Sequence, residues 1–539
     1  MKFLYQLTAL SLLWIFIACS GSHHGSQTPT TSNKRIITAD MKEGETFAGV
    51  ADKQDPGEAR KKHDFNTEDY NHIVENRFLA ATQTPLSTFS IDVDEAAYSN
   101  IRRFINQGSI PPAGAVRIEE MINYFDYSYP QPQNEDPFSV NTEMSECPWS
   151  PQHRLVHIGL QGKEIPMQNL PNANLVFLID VSGSMQDENK LPLVKASMNL
   201  LTDKMRPDDK VAIVVYAGSA GLVLPSTSGT NKEAIKKAID KLGAGGSTAG
   251  GEGIKLAYKV ATENFIKGGN NRIILATDGD FNVGASSDDD LVRIIEKERQ
   301  SGIYLSVLGY GMGNYKDNKM QQLADKGNGN HSYIDNISEA RKVLVNEFAS
   351  TLFTIAKDVK IQVEFNPAKV QAYRLIGYEN RVMAAEDFND DKKDAGELGS
   401  GHTVTALYEI IPAGVKSDFI GNVDSLKYQS AKTTTATAGG NEIMTIKLRY
   451  KKPDEDVSKL MVHPVTDSHL ALAGTSDNFR FSAAVAAFGM LLRNSEYKQS
   501  ASFEQVISLA KNAKGDDANG YRSEFINLVK SAGSLTAKK

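Results

Sequence analysis

Three separated stretches of the chain carry oxygen side chains where an α/β fold would bring them to one place. The first is Asp180, Ser182 and Ser184, a D-x-S-x-S loop directly after the apolar run Leu175–Ile179. The second is Thr248, inside the glycine-rich segment Gly243–Gly251 just before a helical pattern. The third is Asp278, which ends the apolar run Asn271–Thr277. Carboxylates and hydroxyls are hard donors. They suit Mg²⁺ or Mn²⁺ better than a soft metal, with Ca²⁺ a poorer fit. Mg²⁺ seeks six oxygens and keeps several waters, so not every group need touch the ion, and one place can remain open for a partner's oxygen. Alone, D-x-S-x-S also describes a strand-to-helix turn in which Asp and Ser act as caps. Thr248 and Asp278, each on its own loop, set the constellation apart from such a turn.

These groups meet only if the surrounding elements form a doubly wound sheet. Leu175–Ile179 is apolar on both faces, as a buried parallel strand must be. From about Asn174 the pattern alternates strands with helices. Strands are expected at Lys210–Tyr216, Leu222–Leu224, Asn271–Thr277, Ile303–Leu308 and His331–Ile334. Helices are expected at Leu191–Met205, Lys232–Lys241, from Gly251 through Phe265, Asp288–Ser301 and Lys316–Lys326, with a long closing helix Glu339–Lys357. In such a sheet all three oxygen-bearing loops reach the carboxyl edge, where open α/β folds bind ligands. The α/β domain is therefore placed at 174–358.

The flanks have a different period. Phe138–Met144, Leu155–Leu160, Val359–Phe365, Val370–Leu375, Thr403–Ile411 and Glu442–Tyr450 alternate as half-buried antiparallel strands do. The simplest architecture is a multidomain α/β plus β protein. A mostly parallel Rossmann-like domain is inserted in an antiparallel β-sandwich whose two parts are 137–170 and 359–452. Residues 67–136 read as helices and a strand, Thr88–Asp94. Residues 453–539 read as a small helical region. Asp387–Glu397 resembles a calcium loop only superficially, because Lys392 stands where an EF-hand requires glycine. It reads as an acidic, solvated loop.

At 539 residues, with 40% hydrophobic and 23% charged residues, the chain has ample length for several cores. A net charge of −7, not arranged in blocks, argues against nucleic-acid binding. The N-terminus is distinct. Lys2 precedes a short apolar stretch, Leu7–Ala18, ending at Cys19, which is the layout of a signal peptide over 1–18. Phe16-Ile17-Ala18-Cys19 is similar to a bacterial lipoprotein processing site, with Phe16 in place of the usual Leu. That resemblance implies lipidation of Cys19, followed by a flexible tether over 19–66. Ser20 is not the Asp that marks inner-membrane retention in some bacteria, so the expected address is the outer membrane of a Gram-negative envelope. The second cysteine, Cys147, then has no intramolecular partner and reads as a buried apolar residue.

The five oxygen groups Asp180, Ser182, Ser184, Thr248 and Asp278 resemble the metal-ion-dependent adhesion site of the von Willebrand factor type A domain. The resemblance implies a divalent ion whose coordination is completed by a Glu or Asp of a partner protein. More widely, Ser87–Asp94, Arg117–Tyr127 and Cys147–Trp149 are similar to the N-terminal region of bacterial type A domain lipoproteins, and Asp477–Arg493 to that group's C-terminal region of unknown function. The expectation is a non-enzymatic envelope lipoprotein that binds an envelope or extracellular protein through a cation. Two alternatives stay open: a metal-assisted hydrolase, and a structural protein whose ion only stabilises the fold. The hydrolase lacks supporting motifs, with no H-E-x-x-H, G-x-S-x-G or phosphate loop in the chain.

Overall fold

The computed structural model describes residues 67–247, 250–279, 288–347, 353–420, 440–468 and 470–538. The signal peptide, the tether and Cys19 lie outside the described residues, as does Thr248.

At the centre is a six-stranded sheet in the order His331–Ile334, Ile303–Tyr310, Asn270–Thr277, Ala173–Asp180, Lys210–Tyr216, Ala220–Ser228. All neighbours are parallel except the last pair, where Ala220–Ser228 runs antiparallel along the edge. Every residue of Ala173–Asp180 is buried. The reason is that its two faces feed two cores. Leu175, Phe177 and Ile179 pack against the helix Leu191–Lys204 on one side, while Val176 and Leu178 meet Ile254, Ala257 and Ala261 of the helix Gly250–Glu263 on the other. The chain leaves this strand toward Lys210–Tyr216 and later returns on its opposite side as Asn270–Thr277. That reversal of strand order opens a crevice at the carboxyl end of Ala173–Asp180.

Two antiparallel sheets form the sandwich. One has the order Leu79–Ala80, Val370–Ile376, Thr403–Pro412, Ser150–Gly162, Phe138–Cys147. The other runs Val382–Met383, Leu86–Ser90, Thr354–Phe365, Glu442–Lys451, Lys459–Thr466. Phe89, Ile361, Val363 and Leu448 face Val156, Ile158, Tyr373 and Tyr408 in the core between them. The α/β domain enters after Ser150–Gly162 and leaves into Thr354–Phe365, so it is an insertion between strands of the two sheets. The last helices, Asp477–Arg493, Phe503–Asn512 and Tyr521–Thr536, do not stand apart. Phe479, Phe481, Phe488 and Phe525 share one core with Tyr98, Ile122 and Phe125 of the N-terminal region and with Trp149. Cys147 is buried, as expected, and among the described residues it is a free thiol. Among the described residues, no helix is long and apolar enough to cross a membrane.

Three expectations are corrected. The closing helix Glu339–Lys357 does not exist as one element: an α-turn Ile337–Arg341 passes into a π-turn Lys342–Asn346, and Thr354 already begins a strand. The helical period of the apolar residues is overridden because Lys357 pairs with Lys451, and Thr354 with Gly399, drawing the chain into the sheet. The region 453–539 is not purely helical, since Lys459–Thr466 pairs with Glu442–Tyr450 and forms the edge of that sheet. Finally, 67–136 lends Leu79–Ala80 and Leu86–Ser90 to the two sheets, and the strand expected at Thr88–Asp94 ends at Ser90.

Candidate metal centre

The loop Val181–Gln186 is fixed by its neighbours. The Val181 amide donates to the Tyr216 carbonyl at 3.0 Å, the Gly245 amide to the Val181 carbonyl at 2.8 Å, and the Gly183 amide to the Gly246 carbonyl at 3.0 Å. The glycine-rich segment is thus stitched to the D-x-S-x-S loop by backbone bonds. Gly246 has φ +87°, a left-handed conformation that favours glycine, which lets its carbonyl turn toward Gly183.

Four of the five predicted oxygen groups come together. Asp180 Oδ1 accepts the Ser182 amide at 2.9 Å, and Thr277 Oγ1 donates to Asp180 Oδ2 at 3.3 Å. Ser182 Oγ and Ser184 Oγ are 3.1 Å apart. The Ser182 hydroxyl lies against Asp180, and the Ser184 hydroxyl against Asp278. The result is a cluster of two carboxylates and two hydroxyls at the carboxyl edge of two adjacent parallel strands. Both carboxylates are inaccessible to solvent, while Gly183 and Ser184 are exposed, so the cluster has one open side.

The two acids differ in character. Burial pushes the Asp180 carboxyl up to about 6, the Asp278 charge adds to this, and hydrogen bonds from Ser182 and Tyr216 oppose it. Burial acts on Asp278 too, but the Asn314 amide, the Lys190 ammonium and the Ser184 hydroxyl outweigh it and hold that carboxyl below its ordinary value. Lys190 Nζ donates to Asp278 Oδ2 at 3.0 Å, and Asn314 Nδ2 donates to the same oxygen at 2.9 Å.

Sequence reasoning missed Lys190, Asn314 and Thr277. Asn314 was legible in principle: it sits in the glycine-bearing loop after Ile303–Tyr310, at the same sheet edge by the same logic as Asp278. Lys190 carries no such signal, because it immediately precedes the helix Leu191–Lys204 and reads as a solvated charge.

The donor set fits a small hard cation. Two carboxylates and two hydroxyls supply oxygen only, at a spacing held by backbone bonds, and one side is open to water. Among the described residues no group of three or more His, Cys, Asp or Glu is placed to hold a metal, so any ion here relies on hydroxyls and water for the remaining coordination. A divalent ion would be held by Asp180, Ser182, Ser184 and Asp278 and would supply a positive charge facing solvent.

Three family models match successive parts of the chain. The family model "von Willebrand factor type A domain" matches residues 174–347, "von Willebrand factor" matches 64–157, and "Uncharacterized protein YfbK, C-terminal" matches 350–535. The uncharacterized protein YfbK of Escherichia coli is 43% identical over 514 residues, covering 94% of this chain and 87% of that protein. Among solved structures, a von Willebrand factor type A protein from Catenulispora acidiphila aligns at 14% identity over 84% of this chain and 91% of its own, with a TM-score of 0.38. Proximal thread matrix protein 1 from the mussel byssus, solved with a zinc-occupied MIDAS motif, aligns at 24% identity over 33% of this chain and 45% of its own, with a TM-score of 0.27.

Proposed function

The chain belongs to the family of Escherichia coli YfbK and carries a von Willebrand factor type A domain, and from that premise we propose that it is a binding protein of the cell envelope. In this reading Asp180, Ser182, Ser184, Thr248 and Asp278 hold Mg²⁺ or Mn²⁺. A Glu or Asp of an envelope or extracellular partner protein completes the coordination. Cys19 carries the lipid that anchors the chain, to the outer membrane by preference, and the role is binding, not catalysis.

One observation carries the proposal: Asp180, Ser182, Ser184 and Asp278 meet at one sheet edge, with both carboxylates buried and Ser184 exposed. The side chains that donate to these carboxylates include the hydroxyl of Thr277, the amide of Asn314 and the ammonium of Lys190.

The test is capture from detergent-solubilised envelope with Mg²⁺ present or chelated, using the full chain and the variants Asp180→Ala and Asp278→Ala. Binding through the ion predicts that chelator and both variants abolish capture, that the variants remain folded, and that chelator leaves the melting temperature of the unaltered chain nearly unchanged. Capture that survives while the melting temperature collapses would make the ion structural. Mg²⁺-dependent turnover lost in both variants would make the protein a hydrolase.

A further inference from the structure

Lys190 is a held cation, not a surface lysine that happens to reach an acid. Its side chain is only 7% exposed. The ammonium donates to Asp278 Oδ2 at 3.0 Å and to Asn314 Oδ1 at 3.4 Å. Asn314 Nδ2 in turn donates to that same Asp278 oxygen at 2.9 Å, closing a triangle of three side chains from three loops. The stem is cradled at Gly311, where a Cβ would stand 2.5 Å from Lys190 Cε and 2.7 Å from Cγ. Gly311 has φ +76°, so the cradle exists because glycine occupies it.

Charge then decides what this lysine does. Among the described residues of the oxygen cluster, the two carboxylates carry two negative charges and Lys190 returns one. The remaining acids of the loop, Asp187 and Glu188, are exposed and screened by water. A divalent ion at the site would therefore leave a surplus of one positive charge. Without Lys190 the same ion would be neutralised.

We propose that Lys190 sets the charge of the ion site: by occupying one oxygen of Asp278 it weakens capture of the divalent cation and keeps the loaded site positive toward an acidic partner. This rests on the ion-binding reading above. Lys190 is a positioning residue in this scheme, since it acts through Asp278. Lysine buried against a ligand carboxylate thus exchanges affinity for the ion against affinity for the carboxylate that the ion receives.

The test uses the full chain and its variants Lys190→Met, Lys190→Gln and Lys190→Arg, titrated with Mn²⁺ by calorimetry. The relaxation of water protons on bound Mn²⁺ is then followed as acetate is added. Removing a neighbouring positive charge from a partly buried site should tighten Mn²⁺ binding about tenfold in the Met and Gln variants, whereas Lys190→Arg should stay close to wild type. Acetate should displace Mn²⁺-bound water several-fold less readily in Met and Gln than in wild type. Folding is checked by melting in chelator, and the neutral polar Gln variant serves if Met fails to fold. Mn²⁺ affinity that is unchanged or weaker in both neutral variants, with wild type binding normally, overturns the role of Lys190 alone. Tighter Mn²⁺ with unchanged acetate competition overturns the partner half of the proposal. No Mn²⁺ binding by any form overturns the ion-binding reading and this inference with it.

Discussion

Arg102 Nη2 donates to Glu339 Oε2 at 2.7 Å, joining the helix Ala96–Asn106 to the turn Ile337–Arg341 of the α/β domain across 237 residues. The same guanidinium bridges Asp335 at 2.5 Å and Glu524 of the final helix at 2.9 Å. Tyr124 donates to Glu339 at 2.7 Å, and Lys342 in the π-turn is paired with Glu95 and Glu347. The exit from the α/β domain is thus clamped from both ends of the chain.

Arg102→Met should lower unfolding free energy by about 3–5 kcal/mol, because Glu339 and Asp335 would be left charged in an interior that excludes water. Their side chains are 1% and 7% exposed. Glu524→Gln should cost under about 1 kcal/mol, as its side chain is 40% exposed. Denaturant unfolding of both variants measures the contrast, and adding Glu339→Gln to Arg102→Met should recover part of the loss. Equal, small effects would mean that the clamp does not hold the domains.

Stability should fall as pH rises through neutrality. Asp94 is buried beside Asp92, and its carboxyl is pushed up to about 7 by burial and by the Asp325 charge, against Arg381, the His331 amide and Gln321. The folded protein keeps a proton that an unfolded Asp releases near pH 4. The contribution is therefore full below pH 4 or so and is lost as pH climbs through 7. Unfolding midpoints should be higher at pH 5 than at pH 8, and Asp94→Asn should flatten that slope. An identical slope in the variant would assign the effect to other groups.

Gly311→Ala should act on the ion site from a distance. A Cβ there meets the Lys190 stem at 2.5 Å with φ at +76°. The strain should cost about 1–3 kcal/mol. The displaced lysine should tighten Mn²⁺ binding in the direction of Lys190→Met. Thermal melting and Mn²⁺ titration on one sample report both effects, and lost stability with unaltered Mn²⁺ affinity would show that Lys190 had simply moved aside.

Phe525→Ala should destabilise the whole described chain by about 3–5 kcal/mol. Phe525 is inaccessible to solvent and packs against Tyr98, Phe125, Phe481 and Phe488. A single shifted transition is expected. Two separated transitions would make the C-terminal helices an independent unit.

Cys19→Ser should move the protein from the membrane fraction to the soluble fraction of the envelope, since a lipidated cysteine is the anchor proposed for it. Retention of the variant in membranes would count against that anchor.

Several features were legible in the chain because they are local. The run Leu175–Ile179 is apolar at every position, which only a strand covered on both faces can be, and it is so covered. The oxygen groups at 180, 182, 184 and 278 follow strand ends, and a doubly wound sheet must bring such ends to one edge. The alternation in Glu442–Tyr450 marked a sandwich strand, whereas Thr403–Ile411 is buried throughout because Leu407 and Ile411 on its second face join the core of the terminal helices.

Other features depend on partners remote in sequence. Thr354–Lys357 carries a helical apolar period, yet becomes strand because Glu442–Lys451 and Gly396–Gly399 offer it backbone hydrogen bonds that a helix end would not satisfy. Lys190 looks like any charge before a helix until Gly311 and Asn314, more than a hundred positions later, close around it. Sequence therefore determined which oxygens are available and which edge they occupy, since those follow from side-chain type and strand period. The tertiary structure alone decided the charge of that edge, because a buried lysine contributes only where distant loops exclude water and hold its ammonium against Asp278.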